Sequence, residues 1–181
     1  MFFKAAVFTA LLSPCLAFSQ IGVELPSSPA PVTSGPTLEQ TVDWIIKKIN
    51  AIPPEKIYKG QYYTAVGNGC TIQIDRHYPS GNLNQGTKFN FKDIDPKNIT
   101  VSTFTYDGVK TTDLQADTLG DAKVIETRTK TVRFMSSFIR MTDMDIDIEY
   151  AESMKNSLIH AQKLCAHKAS TEKATKPKDL F

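Results

Sequence analysis

Apolar residues recur along this chain with two different periods, and the change of period divides it. Between Thr37 and Asn50 the period is helical: Leu38, Val42, Ile45, Ile46 and Ile49 fall on one stripe, with Trp44 near its edge. Thr37 and Gln40 form a capping box, in which each side chain takes a free backbone N–H of the other. Pro53-Pro54 cannot continue a helix, so the pattern predicts one over about residues 38–50.

From Ile57 to Ile148 the period falls to two, the mark of strands with one buried face. Gln61–Val66 reads as a strand ending at the turn Gly67-Asn68-Gly69, and Cys70–Asp75 as its partner, stopping at Pro79-Ser80-Gly81-Asn82. Lys88–Phe91 alternates again, and Asp93–Pro96 reads as a turn. A strand over Ile99–Tyr106 then meets the hairpin signal Asp107-Gly108 and a further strand over Val109–Leu114. Residues 115–121 read as a polar loop. The last β pair is predicted from charge. Ile125, Thr127, Thr129 and Thr131 alternate with Glu126, Arg128, Lys130 and Val132, while Asp143, Asp145, Asp147 and Glu149 alternate with Met144, Ile146 and Ile148. A hairpin of these two runs sets Arg128 opposite Asp147, Lys130 opposite Asp145 and Val132 opposite Asp143, a register favoured by about 0.2–1 kcal/mol per charge pair. A shift by two positions also pairs the charges.

The helical period returns at the end. Tyr150, Met154, Leu158, Ala161 and Cys165 recur on one stripe, with lysines toward the C-terminal end, where the helix dipole favours them. The expected architecture is α+β: a curved antiparallel sheet or small barrel of five to seven strands, with an N-terminal and a C-terminal helix.

The flanks read differently. Lys4, the apolar run Ala5–Leu16 and the small residues around Ala17-Phe18-Ser19 predict a secretory signal over residues 1–19, cleaved before Gln20. That run is too short, and too broken by Ser13 and Pro14, to span a bilayer of about 30 Å. Residues 20–36 read as a Pro/Ser-rich linker and residues 169–181 as a mobile Lys-rich tail, leaving one domain over about 37–168. Losing Lys4 with the signal takes the formal net charge from +2 to +1. That balance argues against a nucleic-acid binder, and no second apolar stretch approaches membrane-span length.

Export changes what the cysteines mean. Cys15 leaves with the signal, and Cys70 and Cys165 are then expected to pair in an oxidising compartment. A C-x-x-C redox motif is absent, so the expected bond is a structural staple tying sheet to helix.

Catalytic chemistry finds little support. The run Asp143–Glu149 spaces carboxylates as a calcium loop does, but Ile148 stands at the glycine position and Met154 at that of the twelfth-position glutamate. A solvated strand face fits better. His77, His160 and His167 read as surface residues, and Asp93 and Asp95 beside Pro96 as turn formers. The chain has no G-x-S-x-G, phosphate-cradling loop or H-E-x-x-H. No cofactor or metal is expected. Asn98-Ile99-Thr100 matches the glycosylation triplet, relevant in a eukaryotic host.

One segment stands out instead. Phe134, Met135, Phe138, Ile139, Arg140 and Met141 place five apolar side chains and an arginine at the tip of the expected hairpin. If strands run through it, these are core and edge residues. If it is a loop, it is an exposed patch of the composition favoured at protein interfaces.

The helix opening Thr37–Trp44, the central Phe89-Asn90-Phe91-Lys92-Asp93-Ile94-Asp95-Pro96 and the C-terminal Leu158–Cys165 resemble a loose group of exported bacterial proteins of unknown function, over about residues 37–167. The resemblance implies a curved antiparallel sheet closed by a C-terminal helix, similar to a pleckstrin-homology barrel, and supplies no catalytic residues. The resulting expectation is a periplasmic, non-enzymatic protein that binds another macromolecule: an inhibitor, a toxin-immunity protein or an accessory subunit. The alternative is a small-ligand module using the concave face of the sheet.

Overall fold

The structure, a computed structural model, describes residues 35–175 apart from Asp107. The expected signal (1–19), most of the linker (20–34) and the last six residues (176–181) lie outside the described residues. Helix α1 (Leu38–Asn50) forms where its pattern predicts. Thr37 N donates to Gln40 Oε1 at 2.9 Å, and Gln40 N donates to Thr37 Oγ1 at 3.2 Å. Val42, Ile45 and Ile49 are buried along its apolar stripe.

Eight strands follow among the described residues: β1 (Tyr62–Asn68), β2 (Thr71–His77), β3 (Leu83–Asn90), β4 (Ile94–Tyr106), β5 (Val109–Thr118), β6 (Ile125–Arg128), β7 (Arg133–Ser136) and β8 (Phe138–Met144). Helix α2 (Ile148–Thr175) closes the order. The fold is α+β, and every strand pair is antiparallel. The strands form two sheets, one ordered β1-β2-β3-β6-β7 and the other β4-β5-β8. Eight strands exceed the five to seven expected, and among the described residues they do not close into a barrel. The chain changes sheet three times: it leaves the first sheet after β3, returns for β6 and β7, and crosses again at Ser137.

The core lies between the sheets and helices. Ala65, Ile72, Ile74, Phe89 and Ile125 point inward from the first sheet and are buried, because alternation puts them all on one face. α1 covers β1, and α2 packs against β4, α1 and the 3-10 turn Phe91–Asp93. Ala151, Met154, Leu158, Ala161 and Cys165 make the buried stripe of α2. The Cys70–Cys165 disulfide forms as expected, with Cα atoms 5.7 Å apart, tying the start of β2 to the middle of α2.

Three expectations are overturned. The polar loop over 115–121 is strand as far as Thr118, because Leu114, Ala116 and Thr118 alternate inward and are buried. Polar Gln115 and Asp117 occupy the opposite face, where Gln115 Nε2 donates to Asp117 Oδ1 at 2.9 Å. The charge-paired hairpin does not form either. β6 turns directly into β7, with Arg128 opposite Arg133 and Thr127 opposite Phe134, while β8 joins β5 in the other sheet. The charges find different partners: Arg128 with Asp75 at 2.8 Å, Asp143 with Arg76 at 3.1 Å and Asp145 with Lys56 at 3.0 Å. Finally, the acidic run is not one strand face. β8 ends at Met144, the Asp147 carbonyl accepts from the Tyr150 and Ala151 N–H groups of α2, and Glu149 lies in its first turn, where the helix dipole favours a carboxylate. α2 itself runs on to Thr175, past the start of the segment that composition reads as a tail.

Candidate binding cleft

A cross-strand row leads from the core to the surface. Ala65, Ile74, Thr87, Thr127 and Phe134 stand opposite one another in successive strands of the first sheet. The first four are buried, and the row ends at Phe134, which is 49% exposed. A second row, Tyr63–Arg76–Gln85, runs beside it. β8 crosses in front of these rows and contributes Phe138, Ile139, Arg140, Met141 and Thr142. With Ile74, Thr87 and Phe134 of the first row and all of the second, they line an open cleft of about 340 Å³. Ile74, Phe134, Phe138, Ile139 and Met141 give it apolar lining, and Arg76 and Thr142 meet at one side of it.

That side is a clasp between the two sheets. Arg76 Nη1 donates to Thr142 Oγ1 at 2.8 Å, and Arg76 Nη2 pairs with Asp143 Oδ2 at 3.1 Å. The Arg76 guanidinium also lies 5.8 Å from the centre of the Tyr63 ring. The Tyr63 hydroxyl donates to the Thr142 carbonyl at 3.3 Å and accepts from the Thr142 N–H at 3.1 Å. On the far side, buried Asp113 accepts from Arg140 Nη2 at 2.7 Å and from the Asp143 N–H at 2.9 Å. Asp113 sits where the β5–β8 register shifts, so its two bonds hold the bulge that turns Asp143 toward Arg76. Asp143 has φ of 61° there, a left-handed conformation that an Asp tolerates better than most residues.

Burial pushes the Tyr63 phenol above its ordinary pKa, with Arg76 opposing. A raised folded value means the stabilisation is complete below the unfolded pKa, about 10, and is lost as pH rises through the folded value. Burial raises Tyr150 as well. In an alkaline absorbance titration, Tyr63→Phe is therefore expected to remove a late-ionising phenol. An unchanged titration curve would contradict this placement.

On the outer face of the same sheet, Arg128 reaches over β3 to Asp75, and Gln73 Nε2 donates to the same carboxylate at 2.8 Å. Gly86 lies between them in the ladder. A Cβ at Gly86 would stand 2.7 Å from Arg128 Nε, so the ion pair requires glycine at that position.

The segment singled out in sequence resolves into both of its readings. Strands run through it, and Ile139 and Met141 are core. Phe134, Met135 and Phe138 are nonetheless 49%, 49% and 47% exposed. Phe134, Phe138 and Arg140 line the cleft, whereas Met135 turns to the outer face opposite Glu126. Sequence reading missed Tyr63, Arg76, Thr87 and Thr142. Their alternation assigns each a face, but nothing local brings β2 against β8.

His77, His160 and Asp95 take structural roles. His77 stacks on Tyr62 at 4.8 Å, and His160 Nε2 bonds the Pro36 carbonyl at 2.9 Å. Asp95 accepts from Lys97 N and Asn98 Nδ2 at 2.9 and 3.0 Å, but it does so in a bulge inside β4, which begins at Ile94 where the sequence pattern predicts a turn over Asp93–Pro96. Among the described residues no three His, Cys, Asp or Glu side chains gather as metal ligands, and no helix is long and apolar enough to cross a membrane. The site is read on its own chemistry, for no protein-family model, curated protein or solved structure matches this chain.

Proposed function

We propose that this chain is an exported, non-enzymatic protein of a bacterial envelope that binds another macromolecule, as an inhibitor, a toxin-immunity protein or an accessory subunit. The contact surface is the rim of the cleft, Phe134, Phe138 and Arg140, with Met135 on the adjoining edge. One observation carries the reading: Phe134 and Phe138, each about half exposed, line one cleft with Arg140, and half-exposed Met135 stands on the other face of the same edge strand. Aromatics, Met and Arg are the residues enriched where proteins meet. Export is supported by the signal pattern of residues 1–19 and by the Cys70–Cys165 bond, which suits an oxidising compartment. Kinship with exported pleckstrin-homology-like proteins is supported by element order, helix then antiparallel strands then helix.

Affinity capture from periplasmic extract tests the contact surface. Wild-type chain is expected to recover a discrete partner. Phe138→Ala is expected to weaken recovery by roughly thirtyfold, the loss of a side chain worth about 2 kcal/mol at an interface. Equal recovery by both, or no partner with either, contradicts the reading. The second reading, a small-ligand module, is favoured by the cleft volume, which falls in the range of ligand pockets, and by Arg76 Nε. That atom is buried without a hydrogen-bond partner among the described residues. Thermal stabilisation by a lipid or metabolite extract, reduced by Arg76→Gln, would favour it.

A further inference from the structure

Among the described residues, three of the four sheet edges carry some cover. On β1, the Asn50 side chain pairs with the Ala65 backbone as a neighbouring strand would, donating to its carbonyl at 3.0 Å and accepting from its N–H at 2.6 Å. On β8, Tyr63 takes both backbone groups of Thr142, and Ile57 bridges Met144. β4 is blunted at one end by a bulge carrying Pro96 and Lys97. β7 has no such cover among the described residues, and it ends its sheet.

Alternation identifies the free groups. Thr129 N donates to Val132 O at 2.8 Å where β6 turns into β7. Val132, Phe134 and Ser136 therefore aim their backbone groups at β6, and Arg133 and Met135 aim theirs away from the sheet. Around this edge Lys130, Arg133 and Arg140 are all exposed. Buried Asp113 holds Arg140 at 2.7 Å, whereas Glu126 stands 3.9 Å from Arg133, so Lys130 and Arg133 carry the positive charge of this edge.

We propose that β7 takes an extended segment of the partner as an added antiparallel strand in which acidic and apolar residues alternate. This deepens the surface reading above and rests on it. Residues opposite Arg133 and Met135 share their outer face, so carboxylates belong there. The intervening residues lie beside Phe134 on the inner face, at the mouth of the cleft, so apolar side chains belong there. A second copy of the chain in this place would set Arg133 and Lys130 against their own kind. An anionic membrane surface would meet the cations and aromatics but leave the outward N–H and C=O groups without partners in an apolar medium.

Titration calorimetry of the full chain with capped heptapeptides tests the proposal. The probe alternates Glu and Val, beginning and ending with Glu. In the proposed register the Glu residues carry the backbone groups that face β7. N-methylation at the Glu residues is therefore expected to weaken binding roughly tenfold or more, the loss of several hydrogen bonds, whereas N-methylation at the Val residues leaves it unchanged. A Lys/Val peptide is expected not to bind. Met135→Pro removes one outward N–H and leaves the bonds to β6 in place, and is expected to lower affinity likewise. Equal binding of the two methylated peptides overturns the added strand, as does equal binding of the Lys/Val peptide. So does a dimer of the free chain that Met135→Pro abolishes, or preferential binding to phosphatidylglycerol vesicles. If methylation has no effect but Phe138→Ala abolishes peptide binding, the strand is wrong and the surface stands. If peptide binding ignores Phe138→Ala as well, the surface itself is wrong.

Discussion

Replacing Cys70 and Cys165 together by alanine is expected to lower the unfolding free energy by roughly 2–5 kcal/mol. The bond closes a loop of 95 residues that contains every strand after β1. In the unfolded chain such a crosslink removes a large share of loop entropy. In the folded protein Cys165 is buried on the apolar stripe of α2, so alanine leaves no unsatisfied polar group, and the loss reads mainly the crosslink. Urea unfolding with and without reductant measures it. A shared midpoint for oxidised, reduced and doubly substituted chains would contradict the bracing role.

Phe91→Ala is expected to cost about as much, roughly 3–5 kcal/mol, as a fully buried aromatic usually does. Phe91 is completely buried in the 3-10 turn that carries the chain out of the first sheet. Its N–H donates to the Cys70 carbonyl at 2.9 Å, its ring meets Phe89 edge-on at 5.6 Å, and α2 packs against the same turn. The aromatic and the disulfide thus serve one joint between sheet and helix. Their substitutions share neighbours and are expected to combine non-additively. Urea unfolding of single and combined variants decides this, and a Phe91→Ala loss below about 1 kcal/mol would remove the turn from the core.

The elements legible in the sequence are those whose causes are local. α1 is set by its capping box, its apolar stripe and the prolines beyond it. β2 and the β4–β5 hairpin are set by alternation and turn residues. The errors come from interactions that cross many positions. Matching opposite charges between 125–132 and 143–149 identified residues that do form ion pairs, but Arg128 pairs with Asp75 and Asp143 with Arg76. Nothing near Gly86 in sequence announces that Arg128 passes over it. The extension of β5 was hidden because Thr118 is polar yet buried, its hydroxyl donating to the Ala122 and Ser137 carbonyls at 2.7 and 3.0 Å. The cleft was half legible. Its aromatic rim shows in the composition of 134–141, whereas its clasp joins Arg76 to Thr142, 66 positions away.

Site-specific photocrosslinking in the bacterial envelope tests the functional account most directly. A benzophenone amino acid is placed singly at Phe134 and Phe138, and as controls at Val66 and Leu119, which are 63% and 49% exposed. One and the same adduct is expected from Phe134 and Phe138 and none from the controls. Adducts of equal yield at all four positions, or none at Phe134 and Phe138, would contradict it.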